Sequence, residues 1–188
     1  MKNTLRSIAA TAILLSGVSL AFAASHGANP MVGGAEMFPD KNIVENAVNS
    51  ADHTTLVAAV KAAGLVETLS GPGPFTVFAP TNEAFAALPA GTVDTLLMPE
   101  NKDQLTKVLT CHVVSADAMS KAIMKMVDDD GGKHPVTTVG GCTLNISYKG
   151  DQIMIEDETG AVAQVTIADV DQSNGVIHVI DKVLLPKS

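Results

Sequence analysis

The sequence predicts an α+β fold in a single domain, and three observations lead to this prediction. Apolar residues recur at the helical spacing of three and four positions through much of residues 42–112. From residue 134 onward the chain instead contains short runs rich in Val, Ile and Thr, which are typical of strands. Turn-forming pairs such as Gly140-Gly141 and Asn174-Gly175 separate these runs. Helices followed by antiparallel strands are the segregated pattern of an α+β domain.

The N-terminus has the features of a secretory signal peptide. Lys2 and Arg6 precede a short apolar run, and this run ends at the small-residue sequence Ala21-Phe22-Ala23. The run is too short and too interrupted for a good membrane span. We therefore predict a signal peptide over residues 1–23, with an uncleaved anchor as the alternative. Residues 24–41 are rich in Gly, Ala and Pro and predict a flexible leader, so that the domain covers residues 42–187.

Composition narrows the possible functions of the exported chain. Cleavage after residue 23 of the 188 leaves 165 residues, the size of one domain. Cleavage also removes Lys2 and Arg6, so ten basic side chains face twenty acidic ones, a formal charge of −10. Such an acidic chain without a basic stripe argues against binding to nucleic acid or anionic lipid. We expect a secreted or periplasmic monomer that does not insert into the membrane after cleavage.

The first half of the domain is predicted to be mainly helical. Residues 42–69 keep an apolar face at helical spacing, and Gly64 is placed to end a helix. After a break, residues 75–80 form a short strand-like run. The next helix begins with Thr81 or Asn82 as its N-cap. A further helical stretch over residues 91–114 is broken at Pro99.

The last third contains five runs with strand character, each bounded by a turn signal. They cover residues 134–141, 142–150, 152–160, 161–172 and 175–186. In the final run, apolar side chains occupy both sets of alternating positions, which predicts a strand buried on both faces. We expect His178, within this strand, to be half-buried and hydrogen-bonded, because an unpaired polar group inside a protein costs about 1–3 kcal/mol.

Cys111 and His112 are adjacent, which raises the question of a reactive pair. On a helix predicted over residues 101–112, His112 lies on the apolar stripe and Cys111 on its flank, about 100° around the axis. Neighbouring helical residues do not face each other, so this pair is poorly placed for a nucleophile and its base. In an exported protein two cysteines usually pair, and we predict a disulfide between Cys111 and Cys142. A catalytic thiol and a metal site are the alternatives, and a core histidine is the expected role of His112.

Several short motifs resemble metal sites, but a structural interpretation is favoured for each of them. A calcium loop starting at Asp169 needs Gly at its sixth position and Glu at its twelfth, where this chain has Asn174 and Ile180. The acidic run over residues 128–130 is expected to be a solvated loop. Met119, Met124 and Met126 are expected to fill the core. The chain carries no common enzyme signature and no cofactor motif, so we expect neither catalysis nor a cofactor.

One copper motif depends on the cleavage site. Cleavage after residue 23 would leave Ala24-Ser25-His26 at the new N-terminus. A free amine, two amides and a His at the third position can hold Cu²⁺ in a square plane. This motif supports the alternative function of a periplasmic copper or small-ligand carrier.

Three stretches resemble the signature segments of the fasciclin domain family. They are GPFTVFAPTNEAFAALP at residues 73–89, LTCHVV at 109–114 and NGVIHVIDKVLLP at 174–186. The resemblance covers about residues 42–186. It implies a wedge of β-strands with several packed helices, and non-enzymatic work in cell adhesion or protein–protein contact at a cell surface, in a matrix or in the periplasm.

The resemblance also implies candidate interaction residues. Adhesion in animal relatives is attributed to a Tyr-His pair and to an Asp-Ile pair. The matching positions here are Cys111-His112 and Asp169-Val170, so His112, Asp169 and Val170 are the candidate contacts. Cys replaces Tyr in the first pair and Val replaces Ile in the second.

Overall fold

The computed structural model describes residues 29–187, so the predicted signal peptide and the Ala24-Ser25-His26 motif lie outside the described residues. Helices within this range have the following bounds: α1 Ile43–Ala47, α2 Thr54–Ala63, α3 Val66–Ser70, α4 Asn82–Ala86, α5 Thr92–Leu97, α6 Lys102–Thr110 and α7 Ser120–Asp129. Of these helices, none is long and apolar enough to cross a membrane.

Strands in the same range have these bounds: β1 Met31–Val32, β2 Ala35–Glu36, β3 Phe75–Pro80, β4 Val113–Val114, β5 His134–Thr137, β6 Thr143–Lys149, β7 Gln152–Glu156, β8 Val162–Gln172 and β9 Gly175–Ile180. β1 and β2 form a separate hairpin, and the other seven strands form one sheet in the order β4-β3-β9-β8-β7-β6-β5. All neighbours in this sheet are antiparallel except β3 and β9, which are parallel. The α+β prediction is confirmed.

The two ends of the sheet come together and almost close it into a barrel. Just after β5, the N–H of Val139 donates to the carbonyl oxygen of Val113 in β4 at 2.7 Å. The next N–H, that of Gly140, donates to the carbonyl oxygen of Thr110 at the end of α6 at 3.0 Å. We call this junction the seam. Its two hydrogen bonds link the segment after β5 to β4 and to the end of α6.

Two hydrophobic clusters lie on either side of β9. One is formed mainly by α2, α6 and one face of the β3–β9 pair, and includes Val77 and Val179. The other lies between α7 and the curved sheet β5–β8, and includes Phe78 and Ile180. All six residues of β9 are buried, as the apolar pattern on both of its faces predicts.

Local signals explain where several helices begin and end. Asn42 caps α1 by accepting the N–H of Glu45, whose carboxylate in turn accepts the N–H of Asn42. Thr81 caps α4 by accepting the N–H of Ala84. Gly64 ends α2 in the left-handed conformation with φ 75°, where a side chain would be strained. The stretch predicted as helical over residues 42–69 is therefore three helices separated by turns.

The predicted flexible leader is wrong for its second half. Residues 31–36 form the β1–β2 hairpin, and Val32 and Met37 are buried in the core. Asn46 of α1 holds the end of this segment through two hydrogen bonds to Phe38. Its side chain accepts the N–H of Phe38 at 3.1 Å and donates to the carbonyl oxygen of Phe38 at 2.7 Å. The apolar residues that attach this segment to the domain are scattered and follow no periodic pattern.

Candidate functional site

His112 lies just beyond α6, which ends at Thr110 rather than at residue 112 as predicted. Its Nδ1 is 2.8 Å from the carbonyl oxygen of Val108, and its Nε2 accepts the N–H of Leu184 at 2.9 Å. Because a carbonyl can only accept and a backbone N–H can only donate, the proton of the neutral ring is on Nδ1. Both ring nitrogens thus have hydrogen-bond partners. His112 links α6 to the C-terminal segment, residues 181–187, which follows β9.

Burial keeps the His112 ring neutral. The side chain is enclosed, and its loss of solvation lowers its pKa from 6.5 to about 4, although the carbonyl of Val108 and the charge of Asp157 act in the opposite direction. A ring with no free nitrogen and no access to solvent is not available as a base or as a metal ligand. The prediction of a core histidine agrees with this placement.

Cys111 forms the predicted disulfide with Cys142. Their Cα atoms are 5.4 Å apart, and both residues are buried. The bond crosses the seam, because Cys111 follows α6 and Cys142 immediately precedes β6. The backbones are also in close contact here, since a Cβ at Gly140 would lie 2.9 Å from the backbone nitrogen of Cys111. The same Cβ would lie 2.7 Å from Oγ1 of Thr110. With its sulfur in the disulfide, Cys111 is not a free nucleophile.

Asp169 lies at an irregular point of β8 and forms hydrogen bonds with the first residue of α7. Its φ is +58°, and it falls within the register shift between Ile167 and Val170. Its carboxylate accepts the backbone N–H of Ser120 at 2.6 Å and also the hydroxyl of Ser120. α7 has no hydrogen bond from its own N-cap side chain, so a carboxylate from a distant strand caps this helix.

His178 and Thr76 secure the segment that precedes α7. The ring of His178 accepts the N–H of Asp169 at 3.2 Å through Nδ1 and donates to the carbonyl oxygen of Ala118 at 2.8 Å through Nε2. Thr76 donates its hydroxyl to the carbonyl oxygen of Ala116 at 2.6 Å and accepts the N–H of Ala118 at 2.9 Å. His178 is fully buried, not half-buried as expected, and burial lowers its pKa.

Segment 115–119, defined here as Ser115 to Met119, is therefore held at two points while much of it remains in solvent. Ser115, Ala116, Asp117 and Met119 are all exposed.

The candidate contact residues are less exposed than this segment. His112 and Val170 are buried at 2% and 0% exposure, and Asp169 is half-buried beneath Ser120. None of the three is exposed to solvent as most of segment 115–119 is.

Sequence reasoning missed two residues that organise this half of the molecule. Asp157 is buried; its Oδ1 accepts the N–H of Ala161 at 3.0 Å, and its Oδ2 accepts the N–H of Leu185 at 2.9 Å. The sequence identifies Asn174 as a turn residue. Its side chain also accepts the N–H of Ile43 at 3.0 Å and donates to the carbonyl oxygens of Leu69 in α3 and of Gly71 just after that helix. The Asn-Gly pair signals the turn, but no local pattern signals these distant partners.

The acidic run at the end of α7 does not converge on one point. Asp128 accepts the hydroxyl of Tyr148 at 2.6 Å, Asp129 pairs with Lys125, and Asp130 pairs with His134 at 2.6 Å. Throughout residues 29–187, no group of three or more His, Cys, Asp or Glu side chains is arranged to hold a metal ion.

Comparison with known proteins agrees with the family resemblance of the sequence. The fasciclin domain family model matches residues 51–186. Protein sll1483 of Synechocystis sp. is 44% identical over 191 residues, which cover 99% of this chain and 99% of that protein. The transforming growth factor-beta-induced protein ig-h3 of Sus scrofa is 39% identical over 131 residues, covering 70% of this chain and 17% of that protein.

A solved structure shows the same fold. The FAS1 domain pair from the insect cell adhesion molecule fasciclin I superimposes with a TM-score of 0.71 at 18% identity, covering 78% of this chain and 51% of that chain. The resemblance of the three sequence segments, the wedge-like sheet with packed helices and the matching family model lead to one conclusion. The chain belongs to the fasciclin domain family.

Proposed function

We propose that this protein is exported and works without catalysis, by binding another protein at a cell surface, in a matrix or in the periplasm. Two observations support export, namely the sequence of residues 1–23 and the disulfide between Cys111 and Cys142. Cys111 and Cys142 form a disulfide, and both ring nitrogens of His112 have hydrogen-bond partners. These side chains are therefore engaged in structural contacts, which favours a binding role over catalysis.

The observation that carries this proposal is the pre-organised segment 115–119. It is exposed, yet Thr76 and His178 hold its backbone from the sheet, and Asp169 fixes its junction with α7. A segment that is already ordered loses less conformational entropy on binding than a flexible loop does. The exposed side chains of Asp117 and Met119 then offer one charge and one adaptable apolar contact.

We propose different roles for the residues that the family resemblance implicates. Asp169 positions the contact segment through Ser120 instead of touching the partner. His112 and Val170 act from the interior, by holding α6 and β8 in place. We therefore propose Asp117 and Met119 as the contact residues.

A pull-down from cell-envelope extract with matched variants tests this proposal. We expect the protein to retain a specific partner, and the double variant Asp117→Lys/Met119→Lys to lose it. Lys125→Gln, at an exposed position on α7, is the control that should still retain the partner. Circular dichroism and thermal melting would establish that each variant is folded. Recovery of no partner by the folded protein, or equal recovery by the double variant, would contradict the proposal.

A further inference from the structure

An open groove of about 430 Å³ lies between α5, α6 and the C-terminal segment, away from segment 115–119. This volume is within the range of about 300–1,000 Å³ that small-molecule sites occupy. Its apolar lining comes from buried Leu96 and Val108 on the helices and from half-buried Leu185 and Pro186 on the C-terminal segment. Lys107 and Lys187 complete the lining with two positive charges.

The wall formed by the C-terminal segment is held in place by backbone contacts. The N–H of Leu185 donates to Asp157 at 2.9 Å, and the N–H of Lys187 donates to Glu158 at 2.9 Å. Glu158 also accepts the N–H of Thr143 at 3.0 Å. Because these bonds hold the main chain, the groove is present without a ligand and needs no rearrangement to open.

The two lysines form a local positive site on an acidic protein. Within residues 29–187, neither the Lys107 nor the Lys187 ammonium group forms an ion pair with a carboxylate within 4.0 Å. The backbone N–H groups of Lys187 and Thr143 lower the pKa of the Glu158 carboxyl, and the charges of Lys107 and Lys187 act in the same direction. Each oxygen of Glu158 accepts a backbone N–H. Since neither ammonium group lies within 4.0 Å of a carboxylate in residues 29–187, both keep donors for a carboxylate ligand.

We propose that this groove binds an amphipathic carboxylate of fatty-acid size. Its carboxylate would lie between Lys107 and Lys187, and its alkyl chain would cover Leu96, Val108 and Leu185. A ligand with one negative charge fits better than an acidic peptide or polyanion. The acidic surface of the chain, −8 overall, repels an extended anion, whereas salt screens a single charge from groups more than about 8 Å away.

Calorimetric titration of the purified protein with dodecanoate, below its micelle concentration, tests the proposal. We expect one molecule to bind per chain, and dodecyltrimethylammonium, with the same chain and the opposite charge, to bind at least tenfold more weakly. The double variant Lys107→Gln/Lys187→Gln should bind dodecanoate about tenfold more weakly, as expected for the loss of two exposed charge contacts. The double variant Lys121→Gln/Lys149→Gln changes the net charge equally at exposed positions outside the groove lining, and should bind like the unmodified protein.

A steric variant and a mapping experiment locate the site. Gln104 is exposed on α6 and lines the groove, so Gln104→Trp should fill it and abolish binding without disturbing the core. Amide chemical shifts that change on titration should belong to residues 104–108 and 185–187. No binding, equal binding of the two double variants, equal binding of the cationic amphiphile, or shifts confined to other regions would each overturn the proposal. These outcomes do not depend on whether segment 115–119 binds a partner.

Discussion

Acidification should unfold this protein in part through one histidine, His112. Its pKa is lowered from 6.5 to about 4 by burial, so the unfolded chain takes up this proton at a higher pH than the folded chain does. The contribution of His112 to stability is complete above pH 6.5, is lost as the pH falls from 6.5 towards 4, and decreases no further below that. At about 1.36 kcal/mol per pKa unit, the total loss is about 3 kcal/mol.

The physical reason is the hydrogen bond from Leu184 to Nε2 of His112. Protonation turns Nε2 into a donor, which would face the donating N–H of Leu184 inside the protein. Burial also lowers the pKa values of His53 and His178, so the whole protein should lose stability over the same range of pH. A variant is therefore needed to separate the contribution of His112.

Urea unfolding of the protein and of His112→Gln at pH 7.5, 6.5, 5.5 and 4.5 provides this separation. At pH 7.5 the variant should be less stable by about 1–3 kcal/mol, because it loses well-placed buried hydrogen bonds. Towards pH 4.5 the difference should shrink by about 2.5 kcal/mol and can change sign, since only the unmodified protein carries this titrating ring. His134→Gln, in which the replaced ring lies near the surface against Asp130, is the control and should follow the unmodified protein. Parallel curves for the protein and His112→Gln would refute the reasoning.

Four further outcomes are expected. Replacing both Cys111 and Cys142 by Ser should lower the free energy of unfolding by about 3–4 kcal/mol, because it opens a loop with a sequence separation of 31. A stability that neither the replacement nor reductant changes would contradict this. Gly140→Ala should cost about 1–3 kcal/mol in urea unfolding, because its Cβ would meet the end of α6 at 2.7 Å, and a neutral result would mean that the seam can relax. Asp169→Asn should lower the melting temperature by weakening the cap of α7, with a loss of about 1 kcal/mol, whereas no change would show that the charge is not needed there. Cu²⁺ titration of correctly processed protein should show binding that His26→Ala removes, and equal weak binding by both proteins would end the copper hypothesis.

Local signals in the sequence predicted the parts of the fold that depend on neighbours along the chain. Gly64 ends α2, Thr81 caps α4, and the apolar pattern of β9 corresponds to a strand buried on both faces. The disulfide between Cys111 and Cys142 was predicted by counting the cysteines of an exported chain. Each of these inferences requires only residue chemistry and spacing, because caps, breaks and amphipathic faces are set within a few residues.

Other features could not be predicted because they depend on residues far apart in the sequence. β3 pairs in parallel with β9, about 100 positions later, and no local pattern specifies that partner. The β1–β2 hairpin lacks a periodic signal, yet Val32 and Met37 find a place in the core. In the same way, the groove proposed for a carboxylate exists only because Lys107 and Lys187 are brought to one place.

By itself, the sequence determined the family, the α+β class, the pairing of the two cysteines and the residues on which attention should centre. Only the tertiary structure decided what those residues do. His112 is fixed by Leu184, 72 positions away, and Asp169 caps a helix that begins 49 positions before it. Burial and hydrogen-bond partners set the charge and accessibility of a side chain, and both arise from contacts that form only when the whole domain has folded.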